Sequence, residues 1–106
     1  GGDLALAKAM ARHVLERDRD AVAAGGASLL DRDFIARHTT GFEAFAEDVF
    51  AESWDTLVAE SGLTEAELRR AGEIYLQSER VIACWGMGIT QHLHSVGTAT
   101  CRATAR

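Results

Sequence analysis

Cysteine is scarce in this chain of 106 residues: Cys84 and Cys101 are the only two, and neither belongs to a CxxC pair. That excludes a disulfide framework and suits a reducing, cytoplasmic compartment. Basic charge is also thin. Eleven Lys and Arg stand against sixteen Asp and Glu, a formal charge of -5, and nowhere do they cluster densely enough to neutralise several phosphates, so nucleic acid is not an expected partner. No apolar run approaches the roughly 20 residues needed to cross a bilayer, and the N-terminus lacks the basic-then-apolar pattern of a signal peptide. The chain is therefore expected to be soluble, with no membrane partner. It contains no internal repeat and no low-complexity tract. What it does contain, 47% hydrophobic and 25% charged residues, suits a single segment, 1–106, with a modest core.

Helical periodicity dominates the first three quarters. Leu4, Ala7, Ala11, Val14 and Leu15 recur at the spacing of one helical face, and Asp3 is placed to cap them. Gly25 and Gly26 interrupt that pattern, and a short helix follows with Phe34, Ile35 and His38 on one side. Thr40-Gly41-Phe42-Glu43 and Thr64-Glu65-Ala66-Glu67 both have the form of a capping box. The first opens a face of Phe42, Phe45, Ala46, Val49 and Phe50; Trp54, Leu57 and Val58 extend the helical signal to Gly62. The second opens a face of Leu68, Ala71, Tyr75 and Leu76. Helices are expected over about 4–20, 32–38, 41–52, 54–61 and 65–78.

The period then changes. Val81-Ile82-Ala83-Cys84-Trp85 is a continuous apolar run ended by Gly86, which predicts a strand over 81–85 buried on both faces, with a small buried thiol at Cys84. A glycine turn over 86–91 and a last helix over about 91–100 follow. Such a strand needs others alongside, and no other segment reads as one. Either the run is helical, or another chain supplies the sheet, or the segment belongs to a larger α/β domain; the third needs the fewest assumptions. Ligands of open α/β sheets sit beyond the carboxyl end of a strand, where Gly86-Met87-Gly88-Ile89-Thr90-Gln91 falls. This is not the GxGxxG fingerprint, because Gln91 stands where its third glycine would be.

Cys84-Trp85-Gly86-Met87-Gly88-Ile89-Thr90-Gln91-His92 resembles the M-G-x-x-Q-H segment of molybdenum and tungsten oxidoreductases that bind two pterin-guanine dinucleotides. Gly1-Gly2-Asp3-Leu4-Ala5-Leu6 resembles that family's G-T-D-x-A-L motif. Asp33 through Glu43 resembles its D-x-F-x-x-x-x-T-x-G-F-E stretch. The resemblance covers about residues 1–96 and has the character of formate-dehydrogenase-like alpha subunits. It implies that Met87, Gly88 and Gln91 contact the pterin-guanine cofactor, Met87 by packing and Gln91 through its amide. It also implies that Gly2 and Asp3 touch the nucleotide part. Gly2 stands where the family usually has Thr, so a hydroxyl contact is lost there. After Val96 the resemblance stops. The polar tail 97–106 is unlike the family's apolar helix and reads as a truncation or a shifted reading frame. The family's metal ligand and its iron–sulfur cysteines precede the G-T-D motif and are not represented here, so no catalytic residue and no metal ligand is assigned to this chain.

Other candidates carry less. His92 and His94 at a helix start lie about 200° apart with no third ligand nearby. Cys101 sits in the atypical tail as an exposed thiol. Glu65, Glu67, Glu73 and Glu79 with Arg69 and Arg70 read as a solvated helix surface. Phe42, Phe45, Phe50, Trp54 and Tyr75 read as core; Trp85 either borders a ligand or packs under the sheet.

Taken together, the residues and the resemblance lead to an α/β expectation: a mostly helical piece with one buried parallel-type strand, from a three-layer Rossmann-like domain of a molybdopterin oxidoreductase. Its partners would be the rest of the parent catalytic subunit and, in the parent, a small substrate such as formate. Its cofactor would be molybdopterin guanine dinucleotide with molybdenum or tungsten, alongside an iron–sulfur cluster elsewhere in the parent. In isolation the exposed run 81–85 would drive homo-oligomers. The alternatives are a nucleotide-binding α/β module or a non-catalytic helical interaction domain.

Overall fold

The computed structural model describes residues 2–91, 93 and 96, and every described element is a helix. They are α1 (Asp3–Ala23), α2 (Arg32–His38), α3 (Phe42–Ala51), α4 (Trp54–Ser61), α5 (Glu65–Gln77) and the single turn α6 (Met87–Thr90). α1 is the centre of the molecule: it packs against α5, α4 and α3, and α4 also packs against α5.

The composition of α1 explains this role. Ala5, Ala7, Ala9 and Ala11 are all buried, and their short side chains let neighbouring helices come close to the α1 backbone. One core forms around Ala5, Ala9, Leu57 and Leu68, with Leu6, Trp54 and Val58 at its edge. A second forms around Ala11, Leu15 and Val49, with Phe42, Phe45, Ala46, Phe50 and Leu30 packed on it. Leu57, Leu68 and Val49 are fully buried, each worth about 1.5–3 kcal/mol of apolar transfer. Farther along α1, the ring of His13 fills the space over Gly72 of α5; a Cβ on Gly72 would stand 2.8 Å from the His13 ring and Cβ. The long α1 is thus clamped by three shorter helices along its length.

Helix starts differ from expectation in two places. The Thr64 box forms fully: its hydroxyl accepts from the Glu67 amide at 3.3 Å, and the Glu67 carboxylate accepts from the Thr64 amide at 2.9 Å. The Thr40 box does not form. Gly41 takes the cap position of α3 in the left-handed conformation, φ 79°, with no side-chain cap, so the turn geometry is glycine's work and the Thr40 hydroxyl is not needed. Asp3 is likewise no cap; Gly2 holds that position and Asp3 falls within the first turn.

The α/β expectation is overturned. Among the described residues there is no strand, and the run 81–85 is non-helical, unpaired and exposed, with Ile82 89% and Trp85 54% accessible. The physical cause is the difficulty already visible in the sequence. A single extended run has nothing to receive its amides and carbonyls except water, so it lies in solvent instead of crossing the core. Cys84 is correspondingly exposed, not buried. The glycine turn is in fact the helical turn α6, with the Gln91 amide donating to the Met87 carbonyl at 3.1 Å. The expected helix over 91–100, the pair His92 and His94, Cys101 and the tail 97–106 lie wholly or largely outside the described residues.

Candidate functional site

The residues singled out from the sequence fall into two groups at different places in the fold. Gly2 and Asp3 begin α1, where Asp3 is exposed and its carboxylate makes no ion pair or hydrogen bond among the described residues. Met87, Gly88 and Gln91 lie on and just after α6. Within this second group, the structure brings two side chains together. The Gln91 amide Nε2 donates to the Met87 sulfur at 3.7 Å, a contact of residues four apart on one helical face. The Thr90 hydroxyl donates to the Gly86 carbonyl at 3.3 Å and holds the turn closed. Met87 is 72% accessible, and a Cβ on Gly86 or Gly88 would meet nothing, so the backbone of α6 is open to close approach. α6 takes part in none of the principal helix packings, so nothing in them unites Met87 and Gln91 with Asp3.

This geometry suits contact with a flat, polar-edged ligand. A thioether is polarizable and packs well on a conjugated ring, and an amide offers both donors and an acceptor at one site. Open glycines let a ring lie against the backbone. One turn of helix is too short to build a useful dipole, so α6 offers surface and side chains and no strong field. Among the described residues no three His, Cys, Asp or Glu side chains converge as metal ligands.

The polar groups that are most constrained lie elsewhere, along α1, and pattern reading missed them. Asp18 is 2% exposed. It accepts from the Ser28 hydroxyl, from the Leu29 amide at 2.7 Å and from the Arg32 guanidinium. Burial pushes its carboxyl up, but these donors outweigh burial and hold it below the usual range. Glu16 accepts from Arg12 and Arg69, each at 2.9 Å, and from the Trp54 indole at 3.1 Å. Burial works upward on it too, and those donors again win. The Arg69 guanidinium stacks 4.0 Å from the centre of the Trp54 ring, and Arg12 lies over both Trp54 and Phe50 while donating to the Phe50 and Glu52 carbonyls. Glu73 accepts from His13 at 2.9 Å and from Arg17 at 2.9 Å; the His13 bond, then Arg17, hold its carboxyl low. So Arg69 and Glu73, expected to be a solvated face, tie α5 to α1. The only advance signal was Asp18 and His13 lying among apolar positions of α1. These groups fasten α1 to its neighbours.

No protein-family model matches the chain, and no solved structure matches it. Curated proteins do. Over 94 residues, 89% of this chain, it is 47% identical to Protein YdeP of Escherichia coli (strain K12). Over 98 residues, 92% of the chain, it is 34% identical to Uncharacterized oxidoreductase Rv2900c of Mycobacterium tuberculosis (strain ATCC 25618 / H37Rv). Over 98 residues it is also 30% identical to Formate dehydrogenase H of Escherichia coli (strain K12). In each case the chain spans only 12% of the length of the relative it matches. Across nearly all of its length the chain is similar to proteins named as an oxidoreductase and a formate dehydrogenase, and this similarity supports an oxidoreductase family.

Proposed function

We propose that the chain is a cofactor-contacting segment of a larger formate-dehydrogenase-like oxidoreductase that binds a pterin-guanine dinucleotide with molybdenum or tungsten. The observation that carries this reading is the stretch Cys84 to His92. It resembles the motif through which molybdenum and tungsten oxidoreductases contact their pterin, its described part leaves Met87 and Gln91 exposed over open glycine backbone, and it lies in a chain similar to a relative named Formate dehydrogenase H. Within the parent, Met87 packs on the conjugated rings, Gly88 allows close approach, and the Gln91 amide donates to and accepts from ring-edge atoms. The Asp3 carboxylate accepts hydrogen bonds only, which suits guanine N–H or ribose O–H groups and disfavours phosphate. The metal-pterin group, when bound, supplies the two-electron chemistry, and this segment supplies binding and orientation. Formate as substrate and an iron–sulfur relay as electron acceptor belong to the parent and are part of the same proposal. So is the rest of the catalytic subunit as partner. The two isolated cysteines support a reducing, cytoplasmic setting.

The test is to produce the long polypeptide that contains this segment and measure its metal by mass spectrometry and its pterin by fluorescence after oxidation. Stoichiometric molybdenum or tungsten with pterin is expected. A Gln91→Ala variant should lose pterin at least several-fold more readily on gel filtration while keeping its fold. Polypeptide free of pterin when produced in a cofactor-competent host would sink the proposal.

A further inference from the structure

The two methionines of the chain sit differently: Met10 is half-buried on α1, whereas Met87 is 72% accessible on α6. A thioether gives up two electrons to a peroxide wherever the oxidant reaches the sulfur, and gains one oxygen. The turn that carries Met87 does not shield it. Gly86 and Gly88 on either side have no side chain, and a Cβ at either would meet nothing.

The neighbour of the sulfur matters as much as its exposure. The Gln91 amide Nε2 donates to the Met87 sulfur at 3.7 Å, because the two residues lie four apart on one face of the turn. Thioether sulfur is a weak acceptor and yields that amide readily to a better partner. A sulfoxide oxygen is polar and accepts strongly, and on this sulfur it comes within reach of the same amide. One oxidation therefore changes two contacts: the apolar packing surface of Met87 becomes polar, and the Gln91 donor is occupied.

We propose that Met87 is an oxidative modification site that controls cofactor uptake: a peroxide converts its thioether to the sulfoxide in the cofactor-free protein, the sulfoxide captures the Gln91 amide, and the site no longer accepts the pterin. With hydrogen peroxide, the O–O bond breaks, one oxygen bonds to the sulfur, which loses two electrons, and the other oxygen leaves as water. The control rests on the reading of Met87 and Gln91 as pterin contacts. That reading adds a second consequence, since a pterin packed on Met87 covers the sulfur and protects it. Cys84, three positions before Met87, is exposed as well and competes for the oxidant. Its products are told apart because methionine sulfoxide reductases act on the methionine alone.

The experiment uses the long polypeptide that contains this segment, prepared with its cofactor and, from a host unable to make the pterin, without it. Each form is treated with hydrogen peroxide, and the peptides carrying Met10 and Met87 are followed by mass spectrometry. In the cofactor-free form Met87 should gain oxygen several-fold faster than Met10; in the loaded form Met87 should slow several-fold while Met10 does not. Cofactor-free polypeptide incubated with extract of a pterin-competent host should take up several-fold less pterin after peroxide, and methionine sulfoxide reductases for both epimers should restore the uptake. Met87→Leu has no sulfur there, so its uptake, whatever its level, should be the same before and after peroxide. Undiminished uptake with Met87 fully oxidised, or an equal loss in Met87→Leu, overturns the control while Met87 and Gln91 stand as pterin contacts. Polypeptide that holds no pterin even from the competent host sinks the reading of those contacts and the control with it.

Discussion

Asp18 concentrates more of the structure's polar bonding than any apolar pattern would suggest. Its carboxylate fastens the loop after α1 by taking hydrogen bonds from Ser28, Leu29 and Arg32, all from a position that is almost fully buried. Removing it leaves these donors to find water in a partly closed space, so Asp18→Ala should cost about 1–3 kcal/mol in chemical denaturation. Asp33, which meets Arg37 at 3.7 Å on an exposed surface, is the control: Asp33→Ala should cost under about 0.5 kcal/mol. Equal costs would show that the Asp18 network is not formed in solution. The contrast also marks how far single residues were legible. Charge and spacing alone cannot separate two helical aspartates fifteen positions apart, because what distinguishes them is a loop folding back over Asp18 and not over Asp33.

At the scale of elements, local chemistry was readable where it stays within one turn, and unreadable where it depends on a neighbour. The box of Thr64 and Glu67 needs only four consecutive residues and forms as its spacing suggests. Thr40 has the same pattern, yet Gly41 in the left-handed conformation starts α3 without it. Thr64→Ala should therefore cost about 1 kcal/mol in thermal or urea unfolding, whereas Thr40→Ala should be close to neutral. A comparable loss from both would mean that the Thr40 hydroxyl caps α3 after all. The run 81–85 is the opposite case. Five apolar residues in a row say that burial is favourable, but pairing requires strands that no other described segment supplies, and the run stays in water. The α6 candidates came through resemblance; composition and period alone pointed only to a glycine turn. The α1–α5 ties through Arg69 and Glu73 were missed because each joins residues more than fifty positions apart.

For the whole molecule, two expectations follow from where charge and apolar surface sit. Asp18, Glu16 and Glu73 are all held below ordinary carboxylate values in the folded chain. A depressed folded pKa stabilises fully above the unfolded value and is lost as pH falls through the folded one. The melting temperature should hence be nearly flat from about pH 7 to about pH 5 and drop below about pH 4. A midpoint that climbs on acidification would contradict these assignments. The exposed surface of Val81, Ile82, Trp85 and Met87 should make the isolated chain self-associate in analytical ultracentrifugation, and Ile82→Asp should shift it toward monomer. A strictly monomeric unaltered chain would remove that expectation. Such surface is what a segment of a longer chain would leave uncovered, as proposed for this one. The measurement that bears on it most directly is the sequence of the coding DNA on both sides, read in all frames. The account predicts open frames continuing into sequence similar to the rest of the oxidoreductase relatives, with a cysteine cluster and a metal ligand upstream. Stop codons close to both ends in every frame would contradict it.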